Sequence, residues 1–404
     1  MQIGWIDFSK SDRDKVLDVL QLFAEKTAMD ELGIGSVRDA FANIFFPGTS
    51  SIQTRAKYFF IVSYLLREAG SGNVGMDVDK VMEWVHNKEK ECCRKLVEDA
   101  KNKGESLSGI IGHTALNSKA WIKRKPSDIY WSGVKILGFL NSKSSLMQNL
   151  SQREYLGSSL AMARAKDIKS LGRRHTDIEE EMDDTISLGP GYNKFWNIPK
   201  VDSNWLNELS IELTTKEADF FKTTIKSLYP NSVFCILLNN WDNGSKCLSF
   251  QQVMDKIIKL VDDNMRELLH LAKKFDTFVF SARACYNIIW SDNANNEAIE
   301  EWNKCSCRLS EIGDIDLTRI MKMLQIHQPR TLLFLDELQK AYRENADFEK
   351  IKQILIAREI DLKGRSRAKL LKPSKENTQW IGGRHLDYRS YNACQLIIDI
   401  CGHV

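Results

Sequence analysis

Proline is scarce in this chain, with seven among 404 residues. Because proline breaks helices, its scarcity favours a mainly helical protein, as do long segments rich in leucine, lysine and glutamate. No run of about 18 apolar residues occurs, so the sequence predicts no transmembrane helix. The N-terminus lacks a basic start followed by an apolar core, and we therefore expect no signal peptide. Both absences predict a cytoplasmic protein without a membrane partner.

Motifs for common catalytic and cofactor sites are also missing. Residues 330–340 (RTLLFLDELQK) imitate a Walker B strand, but no glycine-rich loop with Lys-Ser or Lys-Thr precedes them. Cys305 and Cys307 lack the second ligand pair of a zinc site. The nine cysteines are scattered, which is typical of reduced thiols in a cytoplasm. We predict no cofactor and no metal, and we favour a non-enzymatic role while leaving an enzyme open.

The length of the chain exceeds one small hydrophobic core and predicts more than one domain. We predict a mainly α fold of two helical domains with few short strands. Residues 1–150 are expected to form the first domain, which includes a winged-helix-like unit. Residues 151–200, where a basic stretch gives way to the acidic run EEEMDD, are expected to be a charged insertion or linker. Residues 201–404 are expected to form the second domain, with a basic tail region.

Helical periodicity is clearest in residues 78–102 and in residues 250–290, which we predict as long helices. A capping-box pattern begins at Thr214 and predicts a helix start there. Residues 233–240 are strongly apolar, so they predict either a strand or a short buried helix.

Positive charge is concentrated in two segments. Residues 101–174 contain 14 Lys or Arg and 4 Asp or Glu, and residues 358–389 contain 9 and 4. The net charge is only +3, so the rest of the chain is acidic. Such segregation is typical of a protein with a nucleic-acid or other anionic partner. The alternative is a set of solvated helix faces that differ in charge.

The first basic segment leads into a predicted helix. Pro126 and Ser127 provide a helix start, with Ser127 as the expected N-cap and Gly138 placed to end the helix. This arrangement resembles the helix pair of a winged-helix or helix-turn-helix unit. The predicted nucleic-acid contacts are the basic side chains around this helix and near the C-terminus: Lys119, Lys123, Arg124, Lys125, Lys135, Arg365, Arg367 and Lys369.

Aromatic and planar cationic groups follow the second basic segment. Trp380, Tyr388, Arg389 and Tyr391 could stack on bases or pack against phosphates. Alternatively, Trp380 and Tyr388 anchor the tail to the body of the protein, and we favour this role for Tyr388.

A polar cluster is predicted near the N-terminus, where residues 52–66 are expected to form a long apolar helix. Its members are Asp30, Glu31, Arg38, Asp39, Thr54 and Arg55. Arginines among carboxylates could bind a phosphate or an acidic group of a partner. We favour a structural role, in which arginine and carboxylate brace two helices.

Several motifs of the chain resemble an uncharacterised bacterial family, a domain of unknown function. The motifs are GWIDFS (4–9), DELGIG (30–35), RD (38–39), FPGTS (46–50), TRAKYF (54–59), PSDIYWSGVKILGF (126–139) and Trp380 followed by LDYR (386–389). The resemblance covers most of the chain and is weakest from about residue 152 to residue 199. It implies a prokaryotic intracellular protein without an established activity, linked to mobile or anti-phage defence gene sets.

Three classes of function remain open. We favour a non-enzymatic, cytoplasmic, nucleic-acid-associated subunit that works with a separate helicase or nuclease, with DNA as the first expectation. The second class is a divergent metal-dependent nuclease with scattered carboxylates. The third is a protein–protein scaffold that does not bind nucleic acid.

Overall fold

The fold is mainly helical, as the sequence predicts. The computed structural model describes residues 30–118, 121–141, 150–172, 195–202, 204–242 and 248–402. Within these ranges the only β-structure is one isolated antiparallel bridge, between Leu140 and Trp196. A wing needs a β-hairpin, and these ranges contain none, so the winged-helix-like unit is not confirmed. No helix in the described ranges is long and apolar enough to cross a membrane.

The helices of the described ranges are numbered here in chain order. They are α1 (Gly35–Phe45), α2 (Lys57–Ala69), α3 (Val78–Lys103), α4 (Pro126–Ile136), α5 (Gln152–Gly172), α6 (Thr215–Leu228), α7 (Val233–Asn239), α8 (Phe250–Ile257), α9 (Asp263–Trp290), α10 (Asn296–Ser306), α11 (Leu309–Ile312), α12 (Leu317–Met323), α13 (Pro329–Arg343), α14 (Phe348–Lys363) and α15 (Ser390–Cys401). Short 3₁₀ turns lie at His113–Ala115 and Lys369–Leu371.

The chain divides into two compact units, each assembled from separate segments. The described residues of 30–42 and 262–388 belong to the first unit, and those of 43–261 and 389–402 belong to the second. This interleaved division differs from the sequential one predicted at residues 150 and 200. Contacts between segments far apart in the sequence produce the difference.

Helix α9 is the centre of the first unit. Asp262 caps its N-terminus by accepting a hydrogen bond from the Met265 N–H. From Phe275 to Ile289 nearly every residue is buried, because α10, α14 and the 3₁₀ turn at Lys369–Leu371 pack around the helix. Such all-round burial agrees with the apolar sequence of this half of α9.

Helix α2 has the corresponding position in the second unit. Almost all of its side chains are buried, and α3 and α4 pack against it. Phe59 makes edge-to-face contacts with Tyr130 and Phe221, at centroid distances of 4.9 and 5.2 Å. Aromatic burial of this kind is a large favourable contribution to the stability of the core.

Several predicted boundaries need correction. The N-cap of α4 is Lys125 instead of Ser127, because Pro126 takes the first helical position and the Asp128 carboxylate accepts the Lys125 N–H. Helix α2 begins at Lys57, later than predicted, since the Gln53 side chain accepts the Ser50 N–H and holds a turn.

Three further predictions concern single helices. The long predicted helix over 250–290 is two helices, α8 and α9. The capping box at Thr214 is confirmed, and residues 233–240 take the helical alternative as α7.

Candidate nucleic-acid interface

A segment that we call the strap, residues 374–388, runs along one face of α9 in the direction opposite to the helix. Its contacts step down the helix from Trp290 to Ala272. The Ser374 N–H and the Asn377 side chain donate to the Trp290 carbonyl, at 3.2 and 3.1 Å. At the other end, the buried Tyr388 hydroxyl donates to the Ala272 carbonyl at 2.7 Å. The strap is therefore fixed at both ends.

Three polar side chains of α9 hold the middle of the strap. Asn287 accepts the Ile381 N–H at 2.8 Å, and Arg283 donates to the Arg384 carbonyl at 2.7 Å. Asp276 accepts the Leu386 N–H at 2.6 Å. The helix positions are seven and four residues apart, about two turns and one turn, and so lie on one face. All three side chains belong to buried residues, which makes the strap part of the folded unit.

Two adjacent glycines let the strap lie close to its neighbours. Gly382 has φ +72°, and a Cβ there would clash with the Glu31 carboxylate. A Cβ on Gly383 would lie 3.0 Å from the guanidinium of Arg283. The contact with Glu31 connects the strap to the DELGIG motif within the first unit.

Planar side chains are stacked on the strap. The rings of Trp380 and His385 are both nearly parallel to that of Phe280, with interplanar angles of 13° and 14° and centroid distances of 5.8 and 3.9 Å. The Arg384 guanidinium lies over the Trp380 ring at 5.1 Å. Phe280 is buried, whereas the side chains of Arg384 and His385 are more than half exposed. The stack thus presents planar groups to solvent.

Residues 365–385 are strongly basic. They contain six Lys or Arg and a single acidic residue, Glu376. Of the predicted contact residues, Arg365 and Arg367 are exposed here, and Lys369 lies over the Trp290 ring at 5.7 Å with its ammonium 3.9 Å from Glu31. Arg384 is an exposed cation that our list of candidates did not include.

A second basic segment belongs to the other unit. Lys123 and Arg124 are exposed just before α4, and Lys125 is half-buried. Lys135 donates to the Leu150 carbonyl at 2.9 Å and lies over the Trp131 ring at 5.4 Å. Burial lowers the pKa of Lys135. Lys119 lies outside the described residues.

Helix α4 itself is mainly a core helix. Tyr130, Trp131 and Val134 are buried, and its exposed positions are Asp128, Ser132 and Ile136. Side chains that read base edges are mostly Arg, Lys, Asn and Gln. The exposed face of α4 therefore lacks the usual base-reading groups, and the positive charge lies upstream of the helix.

A buried carboxylate lies beside the start of α4. Glu89 of α3 accepts the Ser127 N–H at 2.6 Å, while its other oxygen and the Ser127 hydroxyl are buried without a hydrogen-bond partner in the part of the chain that the structure describes. Burial raises the pKa of Glu89 to about 7. A protonated Glu89 carboxyl would be able to donate a hydrogen bond to the Ser127 hydroxyl oxygen.

The polar cluster predicted near the N-terminus is divided between the units. In the first unit, Asp30 accepts the N–H groups of Leu32 and Ile34, at 3.0 and 3.1 Å. Arg38 pairs at 3.0 Å with its neighbour Asp39 on α1, and both are half-exposed. Glu31 contacts the strap and Lys369.

Gly33 and a distant arginine explain the form of the DELGIG turn. Gly33 has φ +66°, which favours glycine. The buried Arg358 of α14 donates to the Leu32 carbonyl at 3.0 Å and the Gly33 carbonyl at 3.3 Å. A Cβ on Gly33 would lie 2.8 Å from that guanidinium. This part of the motif has a structural role.

Thr54 and Arg55 belong to the second unit and make structural contacts there. The Thr54 hydroxyl donates to the Gly109 carbonyl at 2.7 Å. Arg55 donates to both oxygens of Asp399 in α15, at 2.8 and 3.0 Å. Asp399 also accepts the Ala56 N–H, and burial raises its pKa despite the nearby Arg55. The geometry is that of a partly buried ion pair between the residues just before α2 and helix α15.

The described residues contain no group of three or more His, Cys, Asp or Glu side chains placed to hold a metal ion. The fold and site define a mainly helical protein with a basic, aromatic strap on its first unit. Residues 1–165 match a family of unknown function (DUF6361). No curated protein and no solved structure matches the chain. The GWIDFS motif of the predicted signature falls within the matched range but outside the described residues.

Proposed function

We propose that this protein is a non-enzymatic, cytoplasmic subunit that binds nucleic acid through the strap and the adjoining basic residues of its first unit. The observation that carries the proposal is the six-to-one excess of basic residues in 365–385, whose later part, the strap, is held to α9 by buried contacts. Exposed lysines and arginines bind phosphates and release counterions from nucleic acid. A fixed backbone lowers the entropy lost when these groups are ordered on a ligand.

Aromatic groups favour nucleic acid over other polyanions. Trp380 and His385 lie beside Phe280 and among cations, and proteins that bind single strands combine a basic groove with stacking side chains. The segment around Lys123 and Arg124 on the second unit is a separate candidate contact for phosphates. We further propose that the protein works beside a separate helicase or nuclease in anti-phage defence, which the motif resemblance supports.

Fluorescence anisotropy with single-stranded and duplex oligonucleotides at low salt tests the binding proposal. We expect binding that weakens when Arg365, Arg367 and Lys369 are replaced together by Ala. The matched control replaces Lys322, Lys340 and Lys350, three exposed lysines of the same unit, and so removes the same charge. Equal losses in the two variants would mean that net charge alone attracts the oligonucleotide. Absence of binding to either oligonucleotide would remove the proposal and favour the scaffold.

The nuclease alternative has a separate test. Incubation of the protein with labelled DNA and Mg²⁺ or Mn²⁺ should leave the DNA intact if the protein only binds it. Cleavage that copurifies with the protein and is abolished by a chelator would favour the nuclease.

A further inference from the structure

A cleft in the first unit lies between the strap and the N-terminus of α10. Its lining includes the exposed polar side chains of Asn296, Thr378 and Gln379, together with Trp380 and Arg384. Amide groups can both donate and accept hydrogen bonds, as the edges of nucleobases require. An aromatic ring and a guanidinium beside them supply a stacking surface and a cation.

The N-terminus of α10 gives the cleft a second cationic feature. The first N–H groups of a helix have no partner within the helix and carry a partial positive charge. Asn295, the N-cap, accepts the Ala298 N–H at 3.0 Å through its side-chain oxygen. Among the described residues its side-chain nitrogen has no hydrogen-bond partner, although Asn295 is only 2% exposed and lines the cleft. An unpaired buried donor is costly, and an acceptor on a ligand would satisfy it.

Arg384 already holds a carboxylate in this cleft. Its guanidinium makes two hydrogen bonds to Glu297 in the first turn of α10, the second at 2.7 Å. Both side chains are about half exposed, so the pair can exchange with solvent or with another anion. Arginine binds carboxylate and phosphate with the same forked geometry. Glu297 therefore occupies the position that a phosphate would take on Arg384.

We infer that this cleft binds one nucleotide of a single-stranded nucleic acid, with the base against Trp380 and the phosphate on Arg384 and the α10 N-terminus. The inference rests on the proposed function and specifies its substrate class as unpaired strands. Duplex DNA keeps its bases stacked inside the helix and cannot place one on Trp380. The adjoining basic residues bind the flanking phosphates of the same strand.

Oligothymidylate and an abasic oligomer of the same length test the role of the base, because both carry the same phosphates. We expect the full-length wild-type protein to bind oligothymidylate more tightly. Trp380→Ala should lower the affinity for oligothymidylate about tenfold and leave the affinity for the abasic oligomer nearly unchanged. Trp380→Phe keeps an aromatic ring and should retain most of the affinity, which guards against a folding defect in the alanine variant.

Glu297→Gln tests the phosphate position. Removal of the competing carboxylate should strengthen binding of oligothymidylate about three- to fivefold. Glu376→Gln, which removes the same charge from an exposed residue of the strap outside the cleft, is the control and should have a smaller effect. Equal effects of the two variants would overturn the assignment of Arg384 to phosphate.

These experiments distinguish failure of the proposed function from failure of this inference alone. Absence of binding to every oligonucleotide would overturn the proposed function and this inference together. Equal binding of oligothymidylate and the abasic oligomer would overturn the inference alone. Free thymidine monophosphate should compete only weakly, since it lacks the flanking phosphates. Competition as strong as that of the oligomer would identify a mononucleotide site and overturn the assignment to a strand.

Discussion

Buried carboxylates in the second unit connect single residues to the stability of the protein. Glu217 pairs with Lys57 at 2.7 Å and Asp399 pairs with Arg55, whereas Glu89 has no cationic partner within hydrogen-bond distance among the described residues. A buried ionised carboxylate without such a partner is costly, which explains the raised pKa of Glu89. The three carboxylates should therefore respond differently to substitution.

The pH dependence of stability should include a contribution from Glu89. Its pKa is about 7 in the folded protein and close to the ordinary 4.5 when unfolded, so the folded state binds the proton more tightly. Its contribution is fully present below about pH 4.5, declines as the pH rises, and is lost above about pH 7. Glu89→Gln should remove this decline and raise the free energy of unfolding at pH 8 by up to about 3 kcal/mol.

Chemical unfolding of the wild type and of Glu89→Gln between pH 5 and pH 8 measures the effect. Glu154→Gln is the control, because Glu154 is exposed. If Glu89→Gln kept the pH slope of the wild type, Glu89 would not be the titrating group.

The Arg55–Asp399 pair should be important for stability. Arg55→Ala leaves the 2%-exposed side chain of Asp399 without its cationic partner. It should therefore lower the free energy of unfolding by about 3–5 kcal/mol. Arg38→Ala is the control, since the half-exposed pair of Arg38 with Asp39 should contribute no more than about 1 kcal/mol. Thermal unfolding distinguishes the two. An unchanged melting temperature for Arg55→Ala, with loss of function in cells, would instead support a ligand or partner at Arg55.

At the scale of structural elements, the strap is held in position by contacts with residues far away in the sequence. Asn287, Arg283 and Asp276 fix it to α9, and Gly382 allows it to approach Glu31. Its backbone is irregular and forms neither a helix nor a strand. Side-chain acceptors and donors of α9 replace the hydrogen bonds that regular structure would provide.

Gly382→Ala should loosen the strap. The φ of +72° is unfavourable for alanine, and the new Cβ would clash with Glu31. We therefore expect the free energy of unfolding to fall by about 1–2 kcal/mol. Hydrogen exchange at the Ile381 and Leu386 amides should become faster. Gly364→Ala is a matched control, with φ +75° but no atom within 4 Å of the new Cβ. Similar exchange in both variants would show that contact with Glu31 does not hold the strap.

Local sequence patterns predicted the helices better than they predicted which distant residues contact each other. The Thr214 capping box and helix 78–102 follow from nearby residues, and the structure has both. The partner of Arg55 is 344 positions away, and the strap depends on α9, about a hundred positions earlier in the chain. No local period encodes such pairings. The amino-acid composition shows the basic run at 365–375. The cleft beside Trp380 could not be predicted in this way, because it depends on how α10 packs beside the strap.

At the scale of the whole molecule, the two units are interleaved along the chain, and each presents its own basic segment. The two basic stretches of the sequence therefore belong to different units of the structure. If both segments contact phosphates, each should contribute separately to the salt dependence of binding. Sequence preference should change little when either is neutralised, because phosphate contacts do not read bases.

The dependence of affinity on salt concentration tests whether the two basic segments bind phosphates. For single-stranded DNA, log affinity should fall linearly with log salt, with about 0.7 units of slope for each phosphate contact. Replacing Arg365, Arg367 and Lys369 by Ala should lower the slope by about two units, and so should replacing Lys123, Arg124 and Lys125. We expect both reductions relative to the Lys322, Lys340 and Lys350 variant. A slope unchanged in both variants, or no binding at low salt, would contradict phosphate binding by the two basic segments.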